Sequence, residues 1–188
     1  GVIDDGWDVL DHVVADAAAW DVDPGAVAVV GESCGSMVAA FSAFRARESG
    51  LGIRAQVLVN PPTDLTPAGF AVPSMAEHGD SPSLTTEQLR LFCRLAVPAG
   101  TDPRALSPLH AADLGGLPPA LVVVPGLDPL ADQGRAYAAR LREAGTPVEL
   151  AEYERAIHGF ISTPGLVPDA RPARDRVTAF LAEHLGRR

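Results

Sequence analysis

Apolar residues recur at helical spacing near the start of the chain. Trp7, Leu10, Val14 and Ala17 share one face, which predicts a helix from Asp4 to Trp20. Asp23-Pro24-Gly25 then makes a turn, and Val27–Val30 is a continuous apolar run of the kind found in strands buried on both faces. A helix from Cys34 to Glu48 and a second strand from Ala55 to Val59 follow. The stretch from Pro61 to Gly100 is Pro-rich and irregular at first, then helical from Thr85 to about Leu95. It is too long for an ordinary connection, which predicts a lid-like or cap-like insert over 61–100. Regular alternation then resumes. Ala120–Val124 is the third strand, Ala131–Ala144 a helix stopped by Gly145, Val148–Tyr153 the fourth strand and Arg171–Leu185 the last helix.

Strands alternating with helices predict an α/β fold with a parallel sheet of about four strands flanked by helices. Of the 188 residues, 47% are apolar, enough for one domain with a sizeable core. No run of 18 apolar residues suggests a membrane span, and no charged-then-apolar leader opens the chain. The net charge is −9, and every basic residue is Arg. An acidic chain without a basic stripe argues against nucleic acid and anionic membrane surfaces as partners. Cys34 and Cys93 have no metal-ligand spacing and read as free thiols in a reducing cytoplasm.

One pentapeptide changes the picture. Gly31-Glu32-Ser33-Cys34-Gly35 fits G-x-S-x-G, and it lies between a buried strand and a helix. That setting is the one a nucleophile elbow needs: a strained turn exposes the serine, and the helix N-terminus favours developing negative charge. Gly31 and Gly35 are expected to leave room for close backbone passage, and the Cys34 N–H to serve as one oxyanion donor. The Cys34 side chain itself reads as a packing thiol.

A serine at neutral pH needs a base. Among the five histidines, His12 precedes the elbow, His184 lies in the last helix, and His78 and His110 fall in or near the insert. His158 follows the fourth strand in Ile157-His158-Gly159-Phe160 and is the expected base. The acid is expected after the third strand, where Gly126-Leu127-Asp128-Pro129-Leu130 presents Asp128; Asp132 reads instead as a helix cap. The order Ser, Asp, His is that of the α/β-hydrolase fold.

These motifs resemble the hormone-sensitive-lipase-like family of bacterial esterases. The elbow of that family usually reads Gly-Asp-Ser-Ala-Gly-Gly, and here it is Gly31-Glu32-Ser33-Cys34-Gly35-Ser36. Its acid motif Asp-Pro-Leu-x-Asp-x-Gly is matched by Asp128 to Gly134, and its His-Gly-Phe by His158-Gly159-Phe160. The resemblance implies a three-layer α/β-hydrolase catalytic domain over residues 1–188 and a serine carboxylic-ester hydrolase acting through an acyl-enzyme on small or short-acyl esters. It implies no metal or organic cofactor.

The family also places a His-Gly-Gly-Gly segment and further strands before the first helix, and none is present here. The resemblance therefore implies the C-terminal part of such an enzyme, with Val27–Val30 as an exposed edge prone to self-association and with impaired turnover. Phe70, Met75, Leu84 and Phe92 of the insert are the expected acyl-side wall. An amidase or peptidase on the same fold, and a non-catalytic binding protein, remain open alternatives, since a triad serves both ester and amide cleavage.

Overall fold

The period-2 alternation of the two central strands builds the core on both sides of one sheet. The computed structural model describes residues 1–186 and contains α1 (Val2–Ala15), β1 (Val27–Glu32), α2 (Cys34–Ser49), β2 (Ile53–Val59), α3 (Pro73–Glu77), α4 (Thr86–Ala96), β3 (Ala120–Leu127), α5 (Ala131–Glu143), β4 (Val148–Ile157) and α6 (Ala170–Leu185). The four strands are parallel and ordered β1-β2-β3-β4. On one face Leu58, Val122 and Val124 pack with Phe44 of α2 and with Tyr137 and Leu141 of α5. On the other, Val57, Val59, Leu121 and Val123 pack with Phe160 and with Phe180 of α6. The result is three layers, with α2 and α5 on one face of the sheet and α6, after the last strand, on the other.

The elements depart from the sequence expectation mainly at their ends. The first helix stops at Ala15 rather than Trp20. The chain there loosens into turns, and Asp21 takes a left-handed backbone (φ 51°) while the Val22 N–H reaches back to the Ala17 carbonyl at 3.1 Å. β3 continues past Val124 to Leu127, with Pro125 opposite Tyr153 and a register shift just beyond. A proline cannot donate to the ladder, so the regular pairing gives way there. β4 runs on to Ile157 although Glu154 and Arg155 interrupt its apolar pattern. These extensions matter because both strands end at proposed site loops. β1 lies at the sheet edge, where Val30 is 54% exposed.

The insert contains a short helix, α3, that the sequence reading treated as irregular; Pro73 begins it, where a missing N–H costs nothing. α4 opens on a capping box, in which Thr85 Oγ1 accepts the Gln88 N–H and the Gln88 side chain accepts the Thr85 N–H. Polar ties hold the insert to α5. The buried Gln133 accepts the Thr63 and Asp64 N–H groups on Oε1 (2.8 and 2.9 Å) and donates from Nε2 to the Asp64 and Gly69 carbonyls (3.0 Å each). Ser74 donates its hydroxyl to the Pro129 carbonyl at 2.7 Å and its N–H to Asp132 Oδ2 at 2.9 Å. Among the described residues, no helix is long and apolar enough to cross a membrane.

Candidate active site

The serine turn is made by backbone geometry. Ser33 sits between β1 and α2 with φ 54° and ψ −124°, a conformation rare for a residue with a side chain. A Cβ on Gly31 would lie 2.1 Å from the Gly35 carbonyl oxygen, so only glycine lets the chain return this tightly. Gly35 is different: nothing lies within 4 Å of a Cβ built there, so the close passage expected at both glycines is required only at Gly31. The buried Ser36 hydroxyl lies 2.8 Å from both the Gly31 and Val59 carbonyls and ties the turn to the neighbouring strand.

Three loops at the C-terminal ends of the strands bring Ser33, His158 and Asp128 together. His158 Nε2 lies 2.9 Å from Ser33 Oγ, and His158 Nδ1 lies 2.7 Å from Asp128 Oδ2. Asp128 is wholly buried; its other oxygen accepts the Leu130 N–H at 2.9 Å, which fixes the carboxylate plane. Its backbone carbonyl accepts the Ala131 N–H at 3.0 Å. Asp128 thus terminates β3 and starts α5 as well as facing the histidine. Asp132, expected as the helix cap, makes no such cap. Its carboxylate receives Ser74 N–H and Arg135 instead. Burial works to raise the Asp132 pKa, but the Ser74 and Arg135 hydrogen bonds together outweigh it and hold the group below the ordinary carboxylate value.

The histidine loop has its own anchors. Gly159 takes a left-handed backbone (φ 74°), and Phe160 plugs the core beneath it. Glu32, beside the serine, accepts the Ser162 hydroxyl on Oε2 at 2.8 Å and so joins the serine turn to the histidine loop. The other histidines are engaged elsewhere: His12 packs edge-on to Trp20, His110 Nε2 lies 3.1 Å from Asp64 Oδ1, and His184 Nδ1 meets the Phe180 carbonyl at 2.8 Å. His78 lines a shallow pocket with Asp80, Leu127 and Ile157.

Cys34 begins α2, and its N–H has no acceptor among the described residues. Its thiol is exposed rather than packed, because the first residue of this helix stands at the rim of the sheet. Cys93 is partly buried, and burial pushes its thiol pKa up. Of the four apolar insert residues, Met75 and Leu84 are buried in a small cluster with Leu89 and Leu130. Phe70 flanks that cluster, carries the Arg90 guanidinium 4.9 Å above its ring and lines a groove with Leu65, Cys93 and Pro103. Phe92 is exposed. Among the described residues, no cluster of His, Cys, Asp and Glu is arranged to hold a metal ion.

Asn60, Gln133, Ser74 and Ser162 are not among the residues the sequence marks for the site. Only Gln133 falls in a motif, at one of its unspecified positions, and each of the four acts through a partner at least 50 positions away. Asn60 carried one local sign, its place between a strand and Pro61.

Comparison with known proteins agrees with this fold. Residues 1–162 match the family described as alpha/beta hydrolase fold. The chain is 37% identical to carboxylesterase NlhH of Mycobacterium tuberculosis, over 97% of this chain and 58% of that protein. It is 35% identical to the esterase LipI of the same organism (93% and 55%) and 34% identical to an ethyl acetate hydrolase of Pseudomonas putida (97% and 58%). Among solved structures, an α/β hydrolase from the metagenome of Lake Arreo superposes with a TM-score of 0.90 at 35% identity, covering 98% of this chain and 58% of that one. The thermostable metagenomic carboxylesterase EstE1 gives 0.88 at 34% identity (97% and 63%). The chain spans somewhat over half the length of the curated relatives it matches. With its parallel sheet, its strand-end loops and these similarities together, the chain belongs to the α/β-hydrolase fold family, on its hormone-sensitive-lipase-like esterase branch.

Proposed function

We propose that this chain carries the nucleophile, base and acid of a serine carboxylic-ester hydrolase. The observation that supports this best is the relay from Ser33 Oγ to His158 Nε2 (2.9 Å) and from His158 Nδ1 to Asp128 Oδ2 (2.7 Å), set at a strained turn. Ser33 Oγ attacks the ester carbonyl while its proton passes to His158 Nε2. Asp128 orients the ring and stabilises the imidazolium. The Cys34 N–H, at the positive end of α2, faces the developing oxyanion. The imidazolium then gives its proton to the departing alcohol, leaving an acyl group on Ser33. Water, deprotonated by His158, releases the acid.

The acyl group is proposed to be small, a reading supported by the relative named for ethyl acetate hydrolysis. The insert is proposed as lid and acyl-side wall. Phe70 and Phe92, which retain free surface, are the proposed contacts, with Met75 and Leu84 backing Phe70 from the core. The glycine-rich donors that complete an oxyanion hole in this family have no counterpart in these 188 residues. The exposed β1 edge is proposed to favour self-association, for which a stable monomer by light scattering is the contrary result. The two unpaired thiols favour a reducing compartment such as the cytoplasm.

The test is labelling with a fluorophosphonate probe, followed by peptide mapping. Modification of Ser33 that is lost in Ser33→Ala and slowed in His158→Gln is the expected outcome. A well-folded chain that takes no label at Ser33 would refute the enzymatic reading and favour a binding role.

A further inference from the structure

Asn60 follows the last residue of β2 and has a left-handed backbone, with φ 41°. Residues with a side chain rarely adopt this conformation, and asparagine is among the few that tolerate it. The residue is 1% exposed. Its N–H is spent on the Val123 carbonyl at 2.8 Å. Its Oδ1 is buried and has no partner among the described residues. Its Nδ2 lies 3.3 Å from His158 Nε2, the same ring nitrogen that lies 2.9 Å from Ser33 Oγ. Among the described residues, the only polar partner of this buried side-chain amide is therefore the ring of the proposed base.

An amide nitrogen can only donate. It bonds Nε2 only while that nitrogen carries no proton. The Ser33 hydroxyl can donate or accept, and it must donate there if it is to give up its proton; Asp128 on the far side demands a proton on Nδ1. With an acceptor facing Nδ1, and an obligate donor and an adaptable hydroxyl facing Nε2, one neutral tautomer satisfies all three neighbours. Turning the amide over would set Oδ1 against the Nε2 lone pair, so the ring also dictates which way Asn60 points. The charged groups near the ring are Asp128, from the loop after β3, and Glu32, from β1, whose Oε1 would stand 4.0 Å from a Cβ on Gly159. Both carboxylates favour a protonated ring; Asn60 opposes them.

We propose that Asn60 is a positioning residue for His158, whose amide N–H selects the Nδ1–H tautomer and favours the unprotonated ring that accepts the Ser33 proton. The inference rests on the reading of His158 as the base.

Nitrogen-15 NMR of histidine-labelled protein tests this without turnover, His158 being assigned by the loss of its signal in His158→Gln. In the unmodified chain, the neutral His158 ring should show a protonated Nδ1 and a bare Nε2; a protonated Nε2 overturns the proposal. Asn60→Gly removes the amide and suits the left-handed backbone. It should raise the His158 titration midpoint by about half a unit. Asn60→Asp keeps the shape but replaces the donor with an acceptor, and should raise it by about one unit or more. A midpoint that stays put or falls in either variant overturns the proposal. The pH at which fluorophosphonate labelling of Ser33 sets in should rise with the midpoint. If the unmodified chain takes no label at all, the hydrolase reading fails while the ring titration still decides the role of Asn60.

Discussion

His158 Nδ1 lies 2.7 Å from Asp128 Oδ2, and the second oxygen of that carboxylate is already committed to the Leu130 N–H. The aspartate is thus held by the start of α5 before it acts on the ring. Asp128→Asn can keep the Leu130 bond through its remaining oxygen, so the fold should survive. The amide nitrogen would then face Nδ1, and the ring would have to carry its proton on Nε2, where Ser33 needs an acceptor. In the proposed reaction this wrong tautomer should slow ester turnover and Ser33 labelling by about 10⁴-fold, with the thermal midpoint little changed. Equal labelling rates in the two proteins would remove Asp128 from the relay.

The two glycines of the serine motif should respond unequally. Gly31→Ala would drive a Cβ to within 2.1 Å of the Gly35 oxygen and 2.5 Å of the Ser36 nitrogen, both backbone atoms that cannot step aside. A loss of about 3 kcal/mol, or failure to fold, is expected in urea melts. Gly35→Ala meets nothing within 4 Å at the start of α2, and should be neutral or stabilising by about 0.5–1 kcal/mol, the helix preference of alanine. Similar losses in both variants would contradict the steric account.

This contrast marks what the sequence made legible. The alternation of apolar runs was enough for the sheet, because Val57, Leu58, Val59 and Leu121 to Val124 are buried on both faces and read as strands without help. The serine turn, the aspartate loop and the His-Gly-Phe loop were legible because each is a short motif at a strand end. The motif did not distinguish a glycine that is sterically required from one that is not. Nor did it distinguish an Asp132 that caps a helix from one that holds α3, since both give an acidic residue in a first turn. The insert and its attachments were least legible, because Gln133, Ser74 and Asn60 act through hydrogen bonds to partners far away in sequence, which leave no period. The strand ends at Leu127 and Ile157 were hidden, because Pro125 and Glu154 break the apolar pattern before the strands stop.

The two thiols should differ sharply in reactivity. Cys34 is exposed at the N-terminus of α2, whereas Cys93 is partly buried with its thiol pKa pushed up. Iodoacetamide should therefore alkylate Cys34 first. Because its target adjoins Ser33, alkylation should block later fluorophosphonate labelling, and Cys34→Ser should abolish that sensitivity. Mass mapping of a time course decides the order; faster loss of Cys93 would contradict the burial argument.

Gln133 should be the most sensitive contact between the insert and the sheet domain. Gln133→Leu fills similar space but strips partners from the Thr63 and Asp64 N–H groups and from the Asp64 and Gly69 carbonyls. An unsatisfied buried polar group costs about 1–3 kcal/mol, and these four share one side chain, so a combined loss of about 3–5 kcal/mol is expected in urea unfolding. New proteolytic cuts should appear within 61–100 before the rest of the chain is attacked. Unchanged stability would mean that the apolar cluster of Met75, Leu84, Leu89 and Leu130 holds the insert unaided.

Asp132 makes the attachment of α3 dependent on pH. Burial opposes its ionisation, yet the Ser74 N–H and Arg135 bonds prevail, so the folded protein holds this carboxyl below its ordinary value of 3.8. A group whose pKa is lowered by folding stabilises the fold wherever it is ionised in both states. That stability is present above the unfolded value and is lost as pH falls through the folded one. Asp132→Asn cannot ionise and weakens the bonds to Ser74 and Arg135 at every pH. The variant should be less stable than the unmodified chain at pH 7, and the gap between their urea midpoints should persist to about pH 4 and close below it. Ser74→Ala keeps the backbone N–H and the ionisable group, so its deficit should change much less over the same range. A gap for Asp132→Asn that is constant from pH 7 to pH 3 would show that the carboxylate charge takes no part in holding α3 to α5.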